Sequence, residues 1–204
     1  MIVVKSRNIL HILICLFFTF TAGTQVLAAD GAQAQAFIDK MGKEAIGFLG
    51  DEKLDHQEKR EKFRALLGKH FDMKTIGRFT LGSYWKNMTP AQREEYQTLF
   101  DDLIVDIYAQ RFSDYRGQAF EVSGSFPEGE SDYIVRSYIV PKTGENISVS
   151  WHVRHKNGEF KIIDIAIEDV SMTITKRSEF ASIIQRGGGD VEVLLNHLRG
   201  NRSG

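Results

Sequence analysis

Hydrophobic periodicity changes twice along this chain, and no other feature limits its fold as tightly. From Ala32 to about Tyr115 apolar residues recur at helical spacing, with Phe37, Met41, Ile46 and Phe48-Leu49 in one segment and Phe63, Leu66-Leu67 and Phe71 in the next. From Ala119 to Met172 the period is two. Tyr133, Val135, Ser137 and Ile139 alternate with Ile134, Arg136, Tyr138 and Val140, and Ile147, Val149, Trp151 and Val153 alternate with Ser148, Ser150, His152 and Arg154. That is the pattern of antiparallel strands with one apolar face. Pro127-Glu128-Gly129, Pro141-Lys142-Thr143-Gly144 and Lys156-Asn157-Gly158 supply the turns between them. After Met172 the helical period returns, with one helix fitting Arg177 to Arg186 before Gly187-Gly188-Gly189 and a last one starting at Asp190 and carrying Val191, Leu194, Leu195 and Leu198. Helices, then sheet, then helices predicts an α+β domain with the helices laid across the apolar face.

The strongest local signal lies between Phe71 and Phe112. Thr89-Pro90-Ala91-Gln92 offers an N-cap hydroxyl, proline at the first helical position and glutamine at the third, so two orphan backbone donors can be satisfied reciprocally. Downstream, Tyr96, Leu99, Phe100, Leu103, Ile104, Ile107 and Tyr108 form one stripe, while Arg93, Glu94, Asp101, Asp102 and Asp106 take the other face. Upstream, Ile76 to Lys86 holds three aromatics and two glycines in eleven residues. That is more aromatic surface than a short helix and its exit need for packing.

The first residues carry the marks of export. Lys5 and Arg7 form a basic start, Ile9 to Phe20 is almost wholly apolar, and Val26-Leu27-Ala28 precedes a cleavage point. Residues 1–28 are expected to be a secretory signal peptide, because the apolar run is shorter than the roughly 20 residues a spanning helix needs. Residues 29–204 are expected to form a single domain, with no linker or repeat dividing them. Cleavage removes two of the 26 Lys+Arg and none of the 27 Asp+Glu, leaving a net charge of about −3. Such a domain has no overall electrostatic footprint for nucleic acid. It also loses the chain's one cysteine, Cys15, and with it any thiolate chemistry or disulfide.

Three blocks stand out together: Leu81-Gly82-Ser83-Tyr84-Trp85-Lys86, then Thr89-Pro90-Ala91-Gln92-Arg93-Glu94 with Phe100, then Val170-Ser171-Met172 followed by Thr175-Lys176-Arg177-Ser178-Glu179-Phe180. In these blocks the chain resembles the MlaC, or toluene-tolerance, family of periplasmic phospholipid carriers. The blocks come in the family's order, and the likeness spans about residues 35 to 199. Asp169 departs from the glycine that many relatives place before the Val-Ser pair. The resemblance implies a curved sheet and helices of NTF2-like architecture enclosing a deep apolar cavity. It also implies a periplasmic location and partners on both sides: an inner-membrane ABC transporter with its MCE-domain subunit, and an outer-membrane lipoprotein complex. The expected role is to maintain outer-membrane lipid asymmetry, as a monomer without cofactor or metal.

A carrier needs such a cavity for energetic reasons. Burying a methylene is worth about 0.8 kcal/mol, so two acyl chains of about 16 carbons cost on the order of 25 kcal/mol to expose to water. Apolar walls around both chains, with the head group left at the mouth, replace the bilayer and predict weak head-group selectivity. The residues expected to line these walls are Tyr133, Val135, Val149, Trp151 and Val153 of the sheet face, with Val170 and Met172. Opposite them the expectation places Leu81, Tyr84, Trp85, Tyr108 and Phe112. A ligand-lining stripe and a filled-core stripe have the same sequence signature, so pattern alone specifies a packed apolar layer and not a hollow one.

Catalytic constellations are weak. Gly187-Gly188-Gly189 is followed by Asp190 with no P-loop lysine or serine, which fits a helix C-cap. His152 and His155 are three apart on a strand and point to opposite faces, and His56, His70 and His197 stand alone. No G-x-S-x-G elbow occurs. Asp164, among Phe160, Ile162, Ile163 and Ile165, is the best candidate base, and its structural role would be a partner for His152 or Arg154 on the opposite face. The alternatives to a phospholipid carrier are a small-ligand enzyme of isomerase type, a carrier of a polycyclic lipid such as a hopanoid, and a pure interaction module. Three sequons, at Asn87, Asn146 and Asn201, fit chance occurrence.

Overall fold

Strands β1 (Ala119–Glu128), β2 (Asp132–Val140), β3 (Ile147–Lys156), β4 (Glu159–Ile167) and β5 (Val170–Ser171) form one antiparallel, curved sheet in sequence order in a computed structural model that describes residues 23–201. The curvature has a local source. Strands β2 and β3 pair without interruption, but β1 carries one extra residue at Ser123 against β2, and β4 one extra at Ile163 against β3. Each bulge bends its strand and raises the local twist. Each also switches which parity faces inward. The inner face therefore reads, row by row, Pro127-Tyr133-Val153-Ile162, then Ser125-Val135-Trp151-Ile165, then Val122-Ser137-Val149-Ile167. Charged residues fall on the outer face, where Asp132 accepts hydrogen bonds from Arg154 Nη2 at 2.8 Å and pairs with His152 Nε2 at 3.1 Å. The Arg154 guanidinium, with burial opposing it, holds the Asp132 carboxyl below the usual carboxylate range.

The helices are α1 (Gly23–Leu49), α2 (His56–His70), α3 (Met73–Leu81), α4 (Pro90–Ala109), α5 (Met172–Arg186) and α6 (Val191–Asn201), with a 3₁₀ turn at Gly82–Asn87. The expected start of α4 is present in full. The Thr89 hydroxyl accepts the Gln92 N–H at 3.2 Å, and the Gln92 side chain accepts the Thr89 N–H at 3.0 Å. Helix α5 begins earlier than its periodicity suggests, at Met172 and not Arg177. Ser171 caps it by accepting the Ile174 N–H at 3.1 Å, and Asp164 accepts the Thr173 N–H at 3.1 Å. The glycine run after Arg186 ends α5 as expected, with Gly188 and Gly189 at φ 76 and 89°.

Two apolar clusters result. A helical core gathers Tyr96, Leu99 and Phe100 of α4, Phe180 and Ile184 of α5, and Leu194, Leu195 and Leu198 of α6. A sheet-side core sets Ala34, Ile38, Met41 and Phe48 of α1 and Leu66 of α2 against Tyr133, Val135, Val153 and Ile162. Phe71, between α2 and α3, packs on both, and its backbone bridges to Ile162. Ion pairs tie the layers: Arg64 to Asp102 at 2.7 Å and Arg60 to Asp106 join α2 to α4, and Arg199 to Glu95 at 2.7 Å joins α6 to α4. The basic start and apolar run of the expected signal peptide lie outside the described residues. Its expected end after Ala28 falls within α1.

Candidate apolar ligand site

The covering of the sheet is uneven. Helix α1 lies across β1 and β2, while α2, α3 and α5 approach β4. Helix α4 packs on α2, α3 and α6, and β3 has β2 and β4 as its main neighbours. Val153 of the central strand nevertheless shares an apolar cluster with Ala34, Ile38 and Met41 of α1 and Leu66 of α2. Trp151 stands out on this strand: its register neighbour Val135 and its flanking Val149 and Val153 are buried, yet the indole between them is only half-buried. Ile165, beside it on β4, is half-buried too.

Trp151 is held by its surroundings. Its Nε1–H donates to Ser137 Oγ at 2.8 Å, and the fully buried Ser137 hydroxyl donates in turn to the Val149 carbonyl at 3.3 Å. Phe120 meets the indole edge-on, with ring centroids 6.0 Å apart and planes at 78°. Phe120 in turn lies against the backbone of α1 at Gly42, where an added Cβ would come within 2.3 Å of its ring. A side chain there would push the phenyl group aside.

The end of α4 contributes Tyr108, and Phe112 follows in a short 3₁₀ turn; Phe63 of α2 reaches both, at 6.1 and 5.5 Å. All three are half-buried. Burial raises the Tyr108 phenol above its ordinary range, Arg111 works against that, and the Asp164 carboxylate adds to it. Along the three central rows of the inner face the only titratable side chain is the Tyr133 phenol, which burial also raises.

The twelve residues expected to line a ligand fall into distinct places. Tyr133, Val135, Val149, Trp151 and Val153 share the inner sheet face, and Tyr108 and Phe112 sit together at the end of α4. Leu81, Tyr84 and Trp85 pack with the helical core, where the Trp85 ring lies edge-on to Tyr96 and under the Arg93 guanidinium. Met172 is the half-buried first residue of α5, and Val170 in β5 is 55 % exposed. Phe120, Ser137, Ile165 and Phe63 belong to the site's surroundings and escape sequence reasoning. For Phe120 the alternation Phe120-x-Val122 is a signal, broken by the bulge that follows.

Asp164 departs from its expected partner. It is His152's register neighbour, on the outer face, but its oxygens accept from Ser171 Oγ and from the Thr173 and Ile165 N–H groups, and Asp132 takes both His152 and Arg154. Among the described residues, no group of three His, Cys, Asp or Glu side chains is placed to hold a metal, and no helix is long and apolar enough to cross a membrane.

Comparison with known proteins agrees with this architecture. The chain is 28% identical over 138 residues to the intermembrane phospholipid transport system binding protein MlaC of Haemophilus influenzae, covering 66% of this chain and 64% of that protein. It is 21% identical over 117 residues to toluene tolerance protein ttg2D of Pseudomonas putida, covering 57% of this chain and 54% of that one. The match thus spans less than two thirds of either relative. The solved structure of a phospholipid-binding protein from Ralstonia solanacearum, in complex with a phospholipid, superposes with a TM-score of 0.73 at 24% identity, over 83% of this chain and 97% of that one, and has the same fold. The family described as MlaC protein matches residues 39–200, which contain all three blocks that carried the resemblance, and the chain belongs to that family.

Proposed function

We propose that this protein is a periplasmic phospholipid carrier that shields acyl chains over the central strand of its sheet. The observation that carries the reading is the apolar face of β3, bounded by helices on both sides, with Trp151 half-buried in the middle of it. An apolar surface of this kind is stabilised by a ligand that supplies the missing contacts. The relatives' names, a phospholipid transport binding protein and a phospholipid-binding protein, support phospholipid as that ligand. On this reading the signal peptide of residues 1–28 directs export, and the monomeric domain of residues 29–204 moves lipid between an inner-membrane ABC transporter with an MCE-domain subunit and an outer-membrane lipoprotein complex. That traffic maintains outer-membrane asymmetry.

The carrier performs no catalysis. A base for isomerase-type chemistry would have to face the ligand, and Asp164 is engaged in capping α5 on the opposite face from Trp151. The test is mass spectrometry of organic extracts from protein purified without detergent. Stoichiometric phospholipid is expected, together with a lower melting temperature after delipidation, since a ligand that binds only the folded state adds RT ln(1 + [L]/Kd). Extracts without lipid and a melting point indifferent to delipidation would overturn the carrier reading.

A further inference from the structure

A fully buried serine on an apolar sheet face needs a reason. Burying a hydroxyl costs free energy unless it is hydrogen-bonded, and a valine would suit this row, where Val122 and Val149 are its neighbours. Ser137 accepts the Trp151 indole N–H at 2.8 Å while donating to the Val149 carbonyl at 3.3 Å. That uses its donor and one acceptor site and leaves the indole N–H, a donor with no other partner among these contacts, satisfied. The ring is half-buried and the serine fully buried, so the polar anchor of the indole is shielded from solvent. With Phe120 edge-on at 6.0 Å, the indole is fixed at its polar atom and along one side.

We propose that Ser137 is a positioning residue that locks the Trp151 ring as a fixed partition in the lipid site, and so sets which acyl chains the site accepts. The inference rests on the carrier reading. A ring tethered through Nε1 must give up that hydrogen bond to swing about its side-chain torsions, which biases it to one rotamer over β3. Freed of the tether, the indole samples other rotamers, and chains of other lengths and unsaturation fit beside it.

The test compares wild type with Ser137→Ala, Ser137→Thr and Trp151→Phe, all purified without detergent. Acyl composition of the copurified lipid is read by mass spectrometry, and the indole N–H resonance by ¹⁵N NMR in a Trp85→Phe background. Ser137→Ala is expected to broaden the acyl distribution, to move the Trp151 N–H signal upfield and to speed its exchange with solvent several-fold. Ser137→Thr, which keeps the hydroxyl, restores both. Trp151→Phe removes the donor from the other side and broadens the distribution even if Ser137→Ala fails to fold. Wild-type lipid with an acyl profile that neither Ser137→Ala nor Trp151→Phe alters would overturn the proposal while sparing the carrier reading. Absence of lipid from wild type would sink both.

Discussion

The helical core and the sheet-side core draw on the same kinds of side chain and differ in how deeply their central aromatic rings are buried. In the first, Tyr96, Phe100 and Phe180 touch in all three pairings, at 5.8, 6.2 and 6.3 Å, and each is at most 1 % exposed. The buried Tyr96 hydroxyl is matched by Thr80 at 2.8 Å. In the second, buried valines sit beside the half-buried Trp151, Ile165, Phe63 and Phe120. One cluster centres on aromatic rings that are buried outright among helices. The other sets two helices against a sheet, and its one indole and its neighbour Ile165 stay half-buried.

Charge insertion gives the largest separation between the two. Leu195→Glu places an unpaired carboxylate in the helical core, a cost of several kcal/mol against a total stability of about 5–15 kcal/mol, and is expected to yield no folded protein. Ile165→Glu, at a half-buried position of the sheet, can keep its carboxylate partly hydrated and is expected to stay soluble, melt cooperatively and copurify with little lipid. Circular dichroism melts and lipid extracts check both, and an unfolded Ile165→Glu protein would mean that the sheet side is as solid as the helical one.

Truncation sharpens the same contrast with less damage. Phe100→Ala is expected to cost about 3–5 kcal/mol in urea unfolding of delipidated protein, and Ile165→Ala less than about 2 kcal/mol because part of its surface is already accessible. Equal losses would erase the distinction. Smaller still is Asp164→Asn, which weakens the cap of α5 by about 1 kcal/mol and leaves lipid content at the wild-type level. Loss of lipid from a well-folded Asp164→Asn protein would move that residue into the site.

The smallest effect concerns Asp101 on α4, whose carboxyl burial holds above its usual range, against a hydrogen bond from Gln97 Nε2 at 2.9 Å. Its folded pKa is above its unfolded one, so the stability linked to its proton is fully present below the unfolded value and is lost as pH rises through the folded value. Asp101→Asn can still accept from Gln97. It is expected to raise the melting temperature slightly at pH 7 and to flatten the change between pH 7 and pH 4, and melts at those two values would detect it.

Much of this architecture is legible in the sequence where a signal is local. Thr89, Pro90 and Gln92 announce α4, and the alternation of β2 and β3 survives intact because neither strand carries a bulge against the other. The start of α5 is hidden because Thr173, Ile174 and Thr175 are β-branched and read as a continuing strand, whereas Ser171 and the distant Asp164 supply the cap. Asp164 could not be assigned to α5 from spacing alone, since the register does set it opposite His152. The site is the least legible part. Val135 and Trp151 share a face and a register row, yet one is buried outright and the other half-buried, a difference that depends on how the helices cover the sheet and that alternation does not encode.

The extra residue in β4 places the two halves of that strand in different frames of the pleat: Ile165 and Ile167 face inward on odd numbers, Ile162 on an even one. Deleting Ile163 would therefore leave every other side chain of β4 on its present face, with Ile162, Asp164 and Ile165 in regular alternation opposite Val153, His152 and Trp151; what the strand would lose is its bend and extra twist. The length of this strand thus sets the sheet's curvature separately from its apolar face, and one residue more or less at this point reshapes the sheet without exchanging core for solvent.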